Sequence, residues 1–352
     1  MTDGGKSGLC IATSAGLRHP YCPMQHKTIC ATTTLLFMLA CRTASAAPDP
    51  VGLALPAGCA SVSAASMHAG SQGGSFFDAT KFQVRLPPGH RAASPGNGAA
   101  TMPSMEATSL HVSSHGADTS TASLERAASA SATALLIALT GNGHSDCKPG
   151  LLQDAGDPIV LGLENGGSYL ATWQGVTLRG AAGHVTASRM QLRLDAAGSS
   201  GSDRLVHVTL ALDGIGGAMT PAALLPDRLS LRVTLPASSL PTLLAATGGS
   251  APDAQIPVTV DDVSVTSGDT VLHGNGEATA AATPLESTAT LHLTAHNYDS
   301  LVYRAAQMNL VRVHTALLLS RLVSRHATDG IAWDVTFADG VMSVNNVPIP
   351  LR

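Results

Sequence analysis

The chain has 352 residues, with 20 Lys and Arg set against 24 Asp and Glu, and only 3% of its residues are aromatic. A slightly acidic chain with so few rings lacks both the electrostatic footprint and the stacking platforms of a nucleic-acid binder, and the same shortage argues against a sugar-binding cleft. Roughly 300 residues are enough for a large core or two domains, and here the core must be built from Leu, Val, Ile and Ala.

Residues 1–23 show no clear pattern. From Met24 the sequence reads as a secretory signal: a short basic segment (Gln25-His26-Lys27), an uncharged stretch from Thr28 to Cys41, and a small-residue end, Thr43-Ala44-Ser45-Ala46-Ala47. We therefore expect a signal peptide over 24–46, cut after Ala46 or Ala47, with Met24 as the true start and 1–23 as over-extended sequence. Met38-Leu39-Ala40-Cys41 approximates a lipobox, so the alternative is a lipoprotein tethered through Cys41. The apolar stretch is too short for a comfortable membrane-spanning helix. These features predict a periplasmic protein, soluble after cleavage unless Cys41 holds it to a membrane. Of six cysteines, Cys10, Cys22, Cys30 and Cys41 belong to this leader. Cys59 and Cys147 remain, and in an oxidising compartment they are expected to form one disulfide.

Residues 48–150 are rich in Ala, Ser, Gly and Thr. Thr80–Leu86 alternates Phe82, Val84 and Leu86 with polar residues and reads as a strand, and Glu106–Val112 is a weaker one. Ala132–Thr140 is either a buried strand or the end of an Ala-rich helix that starts near Ser123. From Tyr169 the pattern sharpens. Val185–Leu194, Leu205–Asp213, Arg228–Pro236, Ile256–Val265 and Thr288–Ala295 all alternate with period two between Gly, Pro, Asn or Asp clusters. That pattern predicts an antiparallel meander with one apolar and one wet face. Leu240–Ala246 reads as a short helix. Gly274 and Gly276 suggest a bulge or sharp bend, and Asp261-Asp262 reads as a strand bend more readily than as an acid/base pair. The domain reading is a leader (1–47), a poorly patterned N-terminal region (48–150), and an antiparallel β domain (151–352).

The segment from Tyr298 to His326 contains no Gly or Pro, and Asn297 or Asp299 can cap its start. It predicts one long helix over 298–326 that packs on or caps the apolar face of the sheet. At 100° per residue Gln307, His314, Arg321 and Arg325 share a face, opposite Leu301, Ala305, Met308, Ala316, Leu319 and Val323. The basic stripe of His314, Arg321 and Arg325 reads first as a solvated face and second as a lipid-phosphate site. The predicted class is therefore mainly β, a β-rich α+β fold: a curved antiparallel meander with one C-terminal helix.

The last hundred residues carry a resemblance. They run from Leu272-His273-Gly274-Asn275-Gly276, through Ser287-Thr288-Ala289-Thr290-Leu291-His292-Leu293 and the helical segment, to Trp333-Asp334-Val335-Thr336-Phe337-Ala338-Asp339-Gly340 and Val341–Pro348. This order resembles the bacterial domain of unknown function 2125 family and, more distantly, AsmA-like envelope proteins. The likeness covers residues 170–352; residues 48–150 depart from it. It supplies no catalytic residues. It implies a curved sheet whose apolar face acts as an elongated trough in a setting concerned with envelope lipids, and possible ligands are a phospholipid or another acyl chain. Leu192, Leu210, Leu231, Val233, Leu291, Leu293, Trp333 and Phe337 are the candidate lining.

Candidate chemistry is thin. His111-x3-His115 and His292-x3-His296 look like metal pairs, yet in a strand residues four apart lie about 13 Å from each other. His144, Asp146 and Cys147 add potential ligands, but Cys147 is better used in the disulfide. Ala69-Gly70-Ser71-Gln72-Gly73 resembles a nucleophile elbow without its first Gly. Neither a phosphate loop nor a dinucleotide fingerprint is present. The expectation is a non-enzymatic envelope protein with no cofactor and no metal, which binds a lipid or serves as an assembly factor; a hydrolytic enzyme is the third reading.

Overall fold

One antiparallel sheet organises the chain. The structure, a computed structural model, describes residues 55, 59–71, 74–87, 102–116, 119–140, 149–180, 183–200, 203–218, 225–247, 255–281, 285–328 and 330–349. Its strands are β1 (Ser61–Ser63), β2 (Ser66–Gly70), β3 (Ser75–Arg85), β4 (Ser104–His115), β5 (Ser168–Gly180), β6 (Gly183–Ser200), β7 (Asp203–Asp213) and β8 (Gly216–Gly217). They continue with β9 (Arg228–Pro236), β10 (Ile256–Ser267), β11 (Thr270–Ala280), β12 (Thr288–His296), β13 (Arg325–Ala327), β14 (Gly330–Ala338), β15 (Val341–Val344) and β16 (Val347–Ile349). Neighbours in the sheet follow chain order from β3 to β16, except that β8 folds back on β6 and β13 is a side branch of β14. The mainly β class and the antiparallel meander agree with the sequence reading, and the sheet is open. β4 pairs directly with β5, so one sheet joins residues on both sides of position 150.

Alternation along the first strands slips by one residue, and all of them slip together. The inward residues are Phe77, Ala79, Phe82 and Val84 in β3, Met105, Ala107, Leu110 and Val112 in β4, and Ala171, Trp173, Val176 and Leu178 in β5. Pairings on the two sides of each step keep one register (Thr80↔Ser109 with Phe82↔Ala107; Gln174↔Arg189 with Val176↔Ala187). Lys81, Thr108, Gly175 and Ser188 therefore form a single row across four strands. Lys81 and Gly175 take up the slip with φ of 50° and 56°. The Thr108 hydroxyl donates to the Gln174 carbonyl at 2.8 Å and the Ser188 hydroxyl to the Asp213 carbonyl at 2.9 Å, which satisfies groups that the ladder leaves open at the kink.

A second irregularity is confined to one strand. Val260 faces Gly276 and Val263 faces Gly274, so β10 carries one extra residue at Asp261-Asp262. The Asp pair thus bends a strand, and the glycines lie opposite it, where backbones run close. A Cβ on Gly276 would sit 2.1 Å from the Thr290 carbonyl oxygen.

Helices cover the apolar face in two groups. α1 (Thr121–Thr140), α2 (Pro149–Glu164) and α3 (Leu240–Thr247) pack on one another and over a core that runs from Phe77 and Trp173 to Ile256 and Val258. The Ala-rich run at 132–140 is therefore the end of a helix, capped at its start by the Ser120 hydroxyl, which accepts from the Ser123 N–H at 3.1 Å. The second group is α4 (Tyr298–Gln307) and α5 (Val311–Leu322), over a core of Val260, Val263, Leu291, Trp333 and Val335. One continuous helix over 298–326 is not what forms. Asn309 adopts φ 53° and ends α4, while the Leu310 N–H reaches back to the Ala305 carbonyl at 3.1 Å. Asn is the residue that, after Gly, best tolerates this left-handed position. Beyond α5 the chain turns into β13, so Arg325 lies on a strand rather than on the helix.

Gly175 tests the row of kinks. A Cβ there would lie 2.8 Å from both Thr108 Oγ1 and Cγ2, at a φ that side chains rarely adopt. Gly175→Ala is expected to lower the urea-unfolding free energy by about 1–3 kcal/mol. Gly198→Ala, where no atom lies within 4 Å, should change it by less than about 0.5 kcal/mol. Equal midpoints for the two variants would refute the account.

Candidate functional site

All eight candidate lining residues share the apolar face. Leu192 pairs with Leu210, Leu210 with Leu231, and Leu293 with Trp333, while Leu291 and Phe337 fall in the same alternation. They do not share one environment. Leu210, Leu291, Trp333 and Phe337 are buried, whereas Leu192, Leu231, Val233 and Leu293 are half-buried. Leu192, Leu231 and Val233 lie where the two cores adjoin, while Leu293, on β12, lies beside Trp333 within the second. Leu192, Leu194, Val208 and Leu229 pack against the first core, Leu231 and Leu293 against the second, and Val233 against both. What the sequence reading treats as one trough is in the structure a seam, centred on β9, between two covered regions.

The second cover is fastened by aromatic residues. The Tyr298 and Trp333 rings meet edge to face at 5.4 Å. The Trp333 indole N–H donates to the Ser320 carbonyl at 2.8 Å, and the Tyr298 hydroxyl donates to the Leu317 carbonyl at 3.1 Å and also contacts the Ser320 hydroxyl. Burial pushes the Tyr298 hydroxyl pKa up, so it stays a donor. These bonds reach carbonyls in the last turns of α5: that of Ser320, which the helix end leaves open, and that of Leu317, which also accepts from the Ser320 hydroxyl at 2.9 Å. Sequence reading named Trp333 but missed Tyr298 and Ser320, because cross-element bonds leave no periodic trace.

An open cleft of about 700 Å³ lies at this end of the sheet, lined by Asp269, Asn297, Asp299, Arg321, His326 and Gly330 among others. It is polar. Arg321 is ion-paired with Asp299, and the Asn297 amide donates to the Asp269 carbonyl at 3.1 Å. Of the three basic residues expected on one helix face, His314 and Arg321 lie on α5, and only Arg321 lines the cleft. Arg325 instead pairs with Asp334.

The wet face carries cross-strand polar clusters. His207 Nδ1 lies 2.7 Å from the Thr234 hydroxyl, which donates to Asp261 at 2.6 Å. His292 Nδ1 lies 2.7 Å from Asp334, and His111 Nδ1 lies 2.7 Å from Asp78. The two candidate histidine pairs therefore split, His111 and His292 each going to an aspartate on a neighbouring strand. Among the described residues no group of three or more His, Cys, Asp or Glu side chains could hold a metal ion. Cys59 is buried. Cys147, Cys41, His144, Asp146 and the leader lie outside the described residues, as do Gln72 and Gly73. Among the described residues no helix is long and apolar enough to cross a membrane.

Residues 169–351, which begin at β5 and take in the seam, the second cover and the cleft, match the model of a family described as uncharacterized proteins conserved in bacteria, DUF2125. The chain belongs to the DUF2125 family. The matched span leaves β1–β4, α1 and α2 outside it. No curated protein and no solved structure matches the chain.

Asp334 offers a direct test of the wet face. The hydrogen bond from His292, helped by the charge of Arg325, holds its carboxyl below the ordinary aspartate value. A carboxyl lowered in the folded state stabilises the fold above its unfolded pKa, and that contribution is lost as the pH falls through the lowered value. The melting temperature of the wild type should therefore fall more steeply than that of Asp334→Asn below about pH 4. Parallel acid profiles for the two proteins would show that the cluster contributes nothing.

Proposed function

We propose that this DUF2125 member is an exported cell-envelope protein that holds a lipid acyl chain or similar apolar ligand along the seam. The half-burial of Leu192, Leu231, Val233 and Leu293 carries this reading. Aliphatic side chains in the middle of a broad sheet are ordinarily covered, and here the two covers each close over their own core and leave these four half-buried. The leader from Met24 to Ala46 supports export, and an oxidising compartment suits a Cys59–Cys147 disulfide. The distant likeness to AsmA-like envelope proteins belongs to the same proposal. No catalytic residue is assigned, and the protein is read as a binding module. The burial of Leu210, Leu291, Trp333 and Phe337 beneath the helices favours the second reading, a structural or assembly factor of the envelope without a small ligand.

Native mass spectrometry of the protein purified from its own envelope decides between the two. The expected result is an adduct of phospholipid size that denaturation releases, with occupancy at least about tenfold lower in a Leu231→Ser, Val233→Thr variant. A clean protein mass, repeated after phospholipid is offered, would sink the lipid reading and leave the structural one. The denatured mass also reads the cleavage site, a lipid on Cys41, and the loss of two protons that a Cys59–Cys147 bond requires.

A further inference from the structure

α5 is apolar on two opposite sides, and the fold uses only one. Val313, Ala316 and Leu317 turn inward and are half-buried, with Leu317 packed against the second core. On the outer side Val311, Leu318, Leu319 and Leu322 are 71%, 45%, 57% and 80% exposed. At 100° per residue these four occupy an arc of about 100°. Single exposed leucines are ordinary on a protein surface, but a contiguous stripe of them along one helix marks a contact surface. Thr315 falls inside the stripe, and its hydroxyl donates to the helix's own Val311 carbonyl at 2.8 Å. Even the polar member of the stripe therefore offers no free donor to a partner. A single helix over 298–326 would put Leu319 on the buried side with Ala316, but within α5 Leu319 is exposed and Ala316 is half-buried.

The rims of the stripe are basic. Arg312 borders it on one side, and His314 and Arg321 on the other. Arg312 is exposed and has no acidic partner among the described residues. Arg321 pairs with Asp299, but both are at least half-exposed, at 50% and 70%. Such a surface pair is weak enough to exchange for a stronger anion. From Ser300 to Thr328 the sequence has four Arg and no Asp or Glu, within a chain whose acidic residues outnumber its basic ones.

The geometry points to a docking face for an anionic lipid bilayer: α5 lies in the interface plane, its outer leucines enter the boundary between headgroups and acyl chains, and Arg312 and Arg321 meet the phosphates. Aliphatic side chains without hydrogen-bonding groups, flanked by cations, match a fluid anionic interface. A second copy of the chain fits less well. A two-fold contact through the stripe would bring each cationic rim against a cationic rim of the partner. This docking does not depend on the seam, and a seam variant such as Val233→Thr leaves it unchanged.

Protein purified from its own cells is floated with vesicles of phosphatidylcholine alone and of phosphatidylcholine with phosphatidylglycerol. Binding is expected to be at least about tenfold stronger to the anionic vesicles and to weaken as salt is added. A Leu318→Ser, Leu322→Ser variant should lose at least about tenfold of that binding, and Arg312→Gln about fivefold. Circular dichroism and the urea midpoint should stay unchanged, since these side chains already face solvent. Should the double variant fail to fold, Leu319→Ser and Arg312→Gln serve in its place. Equal binding to both vesicle types overturns the proposal, as does binding that none of the variants changes. An absence of binding overturns it too, including the case in which light scattering shows an oligomer that Leu322→Ser dissolves, which would assign the stripe to a second copy.

Discussion

The architecture follows from a row of aliphatic side chains that crosses the sheet on one face and must be kept from water. Burying such a side chain contributes about 1.5–3 kcal/mol, and nearly every strand from β3 to β14 supplies several. A sheet this broad twists as it extends, so a single helical layer cannot follow it from edge to edge. The chain solves this with two layers drawn from different parts of the sequence. α1, α2 and α3 close over Trp173, Met105 and Met190, while α4 and α5 close over Trp333 and Val335. Along β10 the first core ends at Val258 and the second begins at Val260, and the extra residue at Asp261-Asp262 follows within the second. A bulge increases local twist, so the strand bends within the second core.

The second layer depends on fewer contacts than the first. α5 has no buried residue of its own. It is held by Leu317 and Val323 against the core, by the indole of Trp333 and hydroxyl of Tyr298 on its last-turn carbonyls, and by the ion pair of Arg321 with Asp299. Sheet and helix are thus joined through partly buried hydrogen bonds, whose loss costs more than that of an equal number of fully exposed ones. An element of this kind belongs to the less stable part of a structure, and it is also the element with the most exposed aliphatic surface.

Much of the sheet was legible from sequence because period two survives any number of strands. Arg228–Pro236 and Val341–Val344 have the bounds that alternation indicates, and β7, β10 and β12 differ from it by one or two residues. The α2 helix was not legible. It contains Gly150, Gly156, Pro158 and Gly162, which local propensity reads as breakers, yet one of them lies at the contact with a neighbouring helix. A Cβ on Gly156 would lie 2.4 Å from Leu244 Cδ1 of α3, so the glycine makes room for the neighbouring helix. The split of the C-terminal helix was missed for the opposite reason. A scan for Gly and Pro overlooks Asn309, although Asn also enters the left-handed region at modest cost. The eight candidate lining residues fall on one face because face follows from parity. Alternation says nothing of how far a helix elsewhere in the chain reaches, and so it could not separate buried Leu210 from half-buried Leu231.

The seam and the outer face of α5 are then two consequences of one shortage. Among the described residues α3, α4 and α5 are short, at eight, ten and twelve residues, and the two layers leave some aliphatic side chains of the face half-buried. Val233 touches both cores and is still half-buried; Leu231 and Leu293, which pack with the core beneath α5, are half-buried as well. A bilayer lying on the outside of α5 would place lipid beside the core that borders the seam, with one helix between them. α5, which has no buried residue, is fixed mainly at its C-terminal end by Leu317, Val323 and the hydrogen bonds from Trp333 and Tyr298. The cost of leaving aliphatic residues uncovered at both places is real. Under the proposed function the two features would serve one purpose, since a protein that takes an acyl chain from a membrane surface needs an apolar face toward the membrane and, beside it, apolar side chains that are not fully covered.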